Sequence, residues 1–265
     1  MAQAIFGESA TGAKTRRATL SKNVAPGIHR LEHAYVNCYL IEDESGVTLV
    51  DTAFPATWPL LQNALRQIDR TKDDVRAVVL THAHFDHLGM AERLRKEWRV
   101  PVWAHPEERY IARHPYRYAH ESPRLLWPVT HPTSIPILGR MVRAGALTVP
   151  GIDELRTFAA DDVLDVPGQP RVVFSPGHTF GHCALHLPER SALISGDALV
   201  TFNPYTGGTG PQIVSGAATA DSAQALASLD ALAATGADIV LPGHGKPWKK
   251  GIVSAVAEAR AVGRT

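Results

Sequence analysis

The chain has 265 residues, enough to bury one substantial core, and its 45% apolar and 20% charged content is ordinary for a globular protein. A formal net charge of +1 gives no general attraction for nucleic acid. No segment is apolar for long enough to act as a signal-peptide core or to span a bilayer, and the two cysteines, Cys38 and Cys183, read as small buried hydrophobes inside apolar stretches.

Residues 1–26 are polar, rich in Gly, Ala, Ser and Thr, and read as a loose arm before one domain over 27–265. VNCYLIE (36–42) and VTLVDT (47–52), split by the turn-like DESG, predict a β-hairpin. WPLLQNALRQI (58–68) carries apolar residues at helical spacing, and RAVVL (76–80) is a buried strand that delivers the chain to His82. MAERLRKEW (90–98) predicts a helix and VPVWA (100–104) a short strand. From 106 to about 160 the pattern blurs, with six prolines from Pro106 to Pro136, so this stretch reads as an insertion without long helices.

Regular texture returns in RVVFS (171–175), HCALHLP (182–188) and SALISGD (191–197), three closely spaced strands. SAQALASLDALAATG (222–236) is an amphipathic helix ended by Gly236, ADIVLPGHG (237–245) a buried strand running into a loop, and IVSAVAEARAV a final helix. Helix, strand and histidine thus occur in the same order in both halves, and the whole predicts a layered α/β domain.

THAHFDH places His82, His84, Asp86 and His87 within six positions. His82 and His84, two apart, share one face of an extended chain, whereas Asp86 and His87 come as the chain turns into a helix. One tetrahedral ion does not need four ligands from one loop, so the spacing suits sharing between two ions. SPGHTFGH adds His178, SGD adds Asp197 and PGHG adds His244, each after an apolar run where packing alone would favour Val, Ile or Leu. Polar ligands at separate strand ends imply convergence on one rim. On residue type alone, His182 and His186 read as packing residues.

In this order, THAHFDH, PGHTFGH, SGD and PGHG resemble the metallo-β-lactamase-fold hydrolases, over roughly residues 28–245. The resemblance implies a four-layer αβ/βα sandwich with an inserted lid segment, 106–160, and a dinuclear site on one edge. It implies one metal at His82, His84 and His178, another at Asp86, His87 and His244, and Asp197 bridging them. Imidazole and carboxylate suit two Zn2+, with iron or manganese possible. Asp51, in LVDT, matches a family position and is expected to accept a hydrogen bond from a ligand histidine.

The chemistry implied is hydrolysis of a small ester, lactone or thioester through a metal-bridging hydroxide, with Asp86 as a possible proton acceptor. Alternatives in the family are persulfide oxidation on one iron and weak β-lactam hydrolysis. Asp197 counts against β-lactam cleavage as the main activity, since true β-lactamases of this fold generally lack the bridging aspartate. Tyr205, eight residues after Asp197 in TFNPYTGG, is a candidate donor to a substrate carbonyl or oxyanion. In the insertion, Arg113, Tyr116, Arg117 and Trp127 are candidates to clamp and shield a substrate. The expected partner is a small molecule, with no nucleic acid or membrane, and the expected address is cytoplasmic. Oligomeric state is left open.

Overall fold

The computed structural model describes residues 19–123 and 130–265, so Trp127 lies outside the described residues. Two sheets face each other across a shared core. The larger takes seven strands in sequence order: β1 (Thr19–Ala25), β2 (Ile28–His33), β3 (Val36–Asp43), β4 (Gly46–Val50), β5 (Val75–Val79), β6 (Val102–Ala104) and β7 (Arg156–Thr157). The smaller contains β8 (Arg171–Phe174), β9 (Cys183–Leu187), β10 (Ala192–Gly196) and β13 (Ile239–Pro242), with β13 beside β10. Between β10 and β13 in the chain, β11 (Val200–Phe202) and β12 (Thr209–Gln212) form a separate hairpin.

Period-two alternation explains the layers. In β3, Cys38 and Leu40 enter the core on one side of the large sheet, while Tyr39 and Ile41 enter the core between the sheets. In β10, Ala192 and Ile194 face the inter-sheet core and Leu193 faces the outer one. Strands buried on both faces read as continuous apolar runs, which is why these segments stood out in the sequence.

Helices close the outer faces. Helix α1 (Trp58–Gln67) places Trp58, Leu61, Ala64 and Leu65 on the outer core of the large sheet. Leu229 and Leu232 of Ser222–Ala233, with Ile252, Ala255, Val256 and Ala259 of Ile252–Val262, cover the small sheet. The stack is therefore helix, sheet, sheet, helix, as expected. No helix among the described residues is long and apolar enough to cross a membrane.

Strand direction positions the site. β4 and β5 are parallel, β10 and β13 are parallel, and β8 runs with β10 because each is antiparallel to β9. The C-terminal ends of these strands lead to Asp51, His82, His178, Asp197 and His244. Carboxyl ends of strands are where α/β sheets generally place their ligands.

Two expectations need correction. Residues 19–25, assigned to a loose arm, form β1, which pairs with β2 from Thr19–Glu32 to Ala25–Ile28. The TLSKNVA sequence is polar because an edge strand leaves one side in water. The segment 106–160 is not merely a lid. Ala112, Ile137, Met141, Ala144, Ala146, Val149 and Ile152 are buried in the same core as α1 and the large sheet. It also holds a nine-residue helix, Ile135–Arg143. Pro136 sits in the first turn, where the missing N–H has no helical partner to lose.

Candidate metal centre

The structure brings all seven sequence-derived candidates to one rim. Nitrogen and oxygen atoms of His82, His84 and His178 lie within 4.8 Å of one another, as do those of Asp86, His87 and His244, and those of His82, His87 and Asp197. Asp197 stands between the two imidazole groups: its carboxylate is 3.6 Å from His178 Nε2 and from His87 Nε2, and 3.1 Å from His244 Nε2. Asp86 Oδ2 lies 3.4 Å from His244 Nε2, and His84 Nδ1 lies 3.0 Å from His178 Nε2.

Each of four imidazoles is turned by a hydrogen bond at Nδ1. His87 Nδ1 donates to Asp51 Oδ2 at 2.9 Å, and His244 Nδ1 donates to the Tyr35 carbonyl at 2.8 Å. His82 Nδ1 meets Thr81 Oγ1 at 3.0 Å, and that hydroxyl donates to Asp51 Oδ2 at 2.8 Å. The Thr81 oxygen is therefore left to accept from His82. By the same logic Thr219, whose hydroxyl donates to the Val214 carbonyl, accepts from His178 Nδ1 at 3.3 Å. With Nδ1 engaged, all four rings turn Nε2 toward the centre of the cluster. Asp51 accepts a hydrogen bond from His87 and reaches His82 through Thr81.

Metal ligation fits this donor set. His82 Nε2, His87 Nε2 and Asp197 Oδ1 are buried with no hydrogen-bonding protein partner. Leaving such atoms unsatisfied costs about 1–3 kcal/mol each, so a fold that assembles three together is built around something that satisfies them. Imidazole nitrogens with carboxylate oxygens are what zinc, iron and manganese accept.

Electrostatics point the same way. Burial, the largest influence, opposes charge on His87, yet Asp197, Asp51 and Asp86 outweigh it and hold the ring well above the usual imidazole range. Burial likewise opposes charge on His244, but Asp197 and Asp86 lift it to about 10. Burial dominates at His82, well below its ordinary value, and at His178, brought down to about 4. For Asp197, burial is outweighed by His244 and His87, which keep the carboxyl well below the usual range. The carboxylates thus concentrate negative potential where the lone pairs converge.

Local backbone chemistry maintains the arrangement. A Cβ on Gly243 would come within 2.1 Å of Asp197 Oδ1, so only glycine fits before His244. Asn37 Nδ2 donates to the Pro242 and Gly245 carbonyls, and Arg30 donates to Gly245, tying the PGHG loop to β2 and β3. Asp51 adopts a left-handed conformation, φ 56°, that turns the chain at the end of β4.

Several contributors escaped the sequence reading. Glu108 is fully buried: Oε2 accepts from the Ala83 N–H at 2.7 Å, and Oε1 accepts from Thr179 Oγ1 at 2.6 Å and the Gly181 N–H at 3.1 Å. One carboxylate therefore joins the loop of His82 and His84 to the loop of His178. His182, read as a packing residue, is no member of the three clusters, but its Nε2 accepts from the Asp197 N–H at 3.1 Å. Tyr118 is buried, with its ring centroid 3.7 Å from that of His84.

The substrate candidates from the insertion are dispersed. Arg113 pairs with Asp153 at 2.7 Å and lines a cleft with Arg95, Arg99, Arg109 and Arg156 that contains none of the seven rim residues. Arg117 is exposed. Tyr116 stacks on Phe85, centroids 5.7 Å apart, while its hydroxyl bonds the Ala146 carbonyl and the Val149 N–H, so it anchors the insertion. Tyr205 is half-buried and packs on the cluster containing Tyr118, Val200, Val214 and Ala218.

Comparison with known proteins agrees with this geometry. Residues 32–244 match the metallo-beta-lactamase superfamily. The probable metallo-hydrolase YflN of Bacillus subtilis (strain 168) is 27% identical over 184 residues, 67% of this chain and 66% of YflN. The hydroxyacylglutathione hydrolase GloC of Haemophilus influenzae is 25% identical over 180 residues, 66% of this chain and 69% of GloC. The chain thus spans just under two thirds of YflN, and about half of the similar YqgX of Bacillus subtilis. Among solved structures, the metallo-beta-lactamase family protein TTHA1429 from Thermus thermophilus is 28% identical with a TM-score of 0.66, covering 89% of this chain and 79% of that one. TTHA1623, solved in a di-iron-bound form, is 25% identical with a TM-score of 0.57, covering 83% and 92%. With a match that runs from β2 to His244 and takes in every residue of the rim, the chain belongs to the metallo-beta-lactamase superfamily.

Proposed function

We propose that this chain is a metal-dependent hydrolase that cleaves a small ester, lactone or thioester with two divalent ions, zinc being the first choice. The observation that carries the reading is the convergence of seven ligand-capable side chains with buried Nε2 and carboxylate atoms left for a cation. His82, His84 and His178 would hold one ion, Asp86, His87 and His244 the other, and Asp197 both. When bound, such a pair supplies Lewis acidity at a carbonyl and lowers the pKa of water toward about 7.

The protein's own residues do the rest. Asp51, Thr81, Thr219 and the Tyr35 carbonyl fix the tautomers and directions of the imidazoles, so no reorganisation is needed at the moment of reaction. Glu108 and His182 hold the loops that carry them. Tyr205, beside the Tyr118 cluster, is the candidate to donate its hydroxyl to a substrate carbonyl. Asp86 serves chiefly as a ligand, because ligation lowers its basicity as a proton acceptor. The relative named as a hydroxyacylglutathione hydrolase supports the thioester branch.

A one-iron persulfide dioxygenase would use His82, His84 and His178 and leave the second cluster idle. Metal content and activity measured on one preparation separate the two. Two equivalents of metal with hydrolysis of an ester, lactone or thioester panel is the expected result. A single iron with oxygen uptake on glutathione persulfide would overturn it.

A further inference from the structure

Of the seven rim residues, Asp86 is the most accessible at 8%, the other six being at most 3% exposed. Asp86 Oδ2 lies 3.4 Å from His244 Nε2. The backbone leaving His244 there forms one wall of a cavity of about 530 Å³. Tyr35, Phe202, Pro247 and Trp248 supply its apolar surface, with Thr209 and Lys246 among the remaining lining.

Tyr35 links cavity and rim directly. It sits with Ala34 in a two-residue turn between the paired residues His33 and Val36. Both turn residues are left-handed, at φ 49° and 71°, in a turn type that ordinarily takes Asn-Gly. Holding two non-glycine residues there is unfavourable, and such strain clusters at functional positions. The result is a tyrosine whose carbonyl accepts from His244 Nδ1 and whose ring stacks on Phe202, centroids 5.4 Å apart and 19° from parallel. Arg140 Nη1 donates to the Tyr35 hydroxyl and so fixes the ring from the far side.

We propose that this cavity is a specificity pocket that receives an apolar, preferably aromatic, acyl group of the substrate, with Tyr35, Phe202 and Trp248 as its walls. The proposal rests on the hydrolase reading and deepens it. A volume of this size falls within the range of small-molecule sites, and flat ring walls favour a flat ligand. The scissile group lies at the Asp86–His244 side of the rim while the acyl group points past Gly245.

The test compares ethyl acetate with ethyl phenylacetate on metal-loaded enzyme, and acetate with phenylacetate in direct binding. Wild-type protein is expected to favour the aryl ester by about tenfold or more in kcat/KM, given the apolar area buried. Thr209 pairs across the ladder from Phe202, so the two side chains share a face. The indole in Thr209→Trp therefore fills the pocket without removing a wall, and the preference should fall to within about twofold at unchanged metal content. Equal kcat/KM for the two esters in wild type, or a preference that survives Thr209→Trp, overturns the proposal. If neither ester is cleaved, the hydrolase reading stands or falls on the lactone and thioester members of the panel. The pocket is then judged by binding: tighter phenylacetate than acetate, abolished by Thr209→Trp, sustains it, and equal binding overturns it.

Discussion

Two regions of this molecule look functional by residue type, and only one is built as a site. The rim gathers seven histidines and aspartates, nearly all inaccessible, each imidazole of four held at Nδ1 so that Nε2 points inward. The arginine-lined cleft beside β6 and β7 has a volume of about 970 Å³. Two of its five arginines are instead paired at the surface: Arg95 with Glu92 and Glu154, Arg113 with Asp153. Residue type makes a region a candidate. What distinguishes a metal centre is polar atoms buried at a cost and left for something other than protein.

The sharpest way to break that distinction is at Asp197. Asp197→Ala should take bound metal below two equivalents and lower hydrolysis more than about a thousandfold, because the carboxylate stands between both clusters. Elemental analysis with a rate assay decides it; full activity on one metal would remove the bridging role. Asp51→Asn should have the next largest effect. The amide turns a donor either toward His87 Nδ1 and Thr81 Oγ1 or toward the Thr81 N–H, so metal affinity should fall about 10–100-fold in chelator competition. An unchanged affinity would mean that the tautomers are set elsewhere.

Glu108 tests whether the loops need tying. Glu108→Gln can keep one oxygen for Thr179 and Gly181, but it turns an NH2 toward the Ala83 N–H, costing about 1–3 kcal/mol. Burial, opposed by those three donors, raises the Glu108 carboxyl from 4.5 to about 7. Between these values the folded chain keeps a proton that the unfolded chain has released, so wild-type stability declines as pH rises through the window. The glutamine variant carries no such proton. Its deficit in urea unfolding should therefore be larger near pH 5 than near pH 8. A deficit that stays the same from pH 5 to pH 8 would show that Glu108 is ionised throughout.

The fold was legible where strands are buried on both faces, as in VNCYLIE and SALISGD, and where ligands interrupt such runs. It was not legible where an element depends on partners. β1 is polar because it is an edge, and β2 was missed with it. Pro136 looked like a breaker and is a helix start. The seven rim residues were readable because an imidazole or carboxylate at a strand end has no packing reason to be there. Tyr35 was not, because its carbonyl rather than its side chain serves His244. Glu108 was not, because two consecutive glutamates after a proline resemble a solvated turn, and only the fold shows one of them fully buried.

Arg113 gives the smallest expected effect and sharpens the comparison from the other side. Its side chain is 60% exposed, its partner Asp153 is 76% exposed, and their 2.7 Å contact is open to water and salt. Such pairs contribute about 0–1 kcal/mol because solvent screening and side-chain entropy offset the attraction. Arg113→Ala should therefore change unfolding free energy by no more than about 0.5 kcal/mol and leave metal content unaltered. If substrate reached this arginine as the sequence suggested, KM would rise on substitution and the rise would shrink with salt. An unchanged KM at low and high ionic strength would confine recognition to the surroundings of the rim.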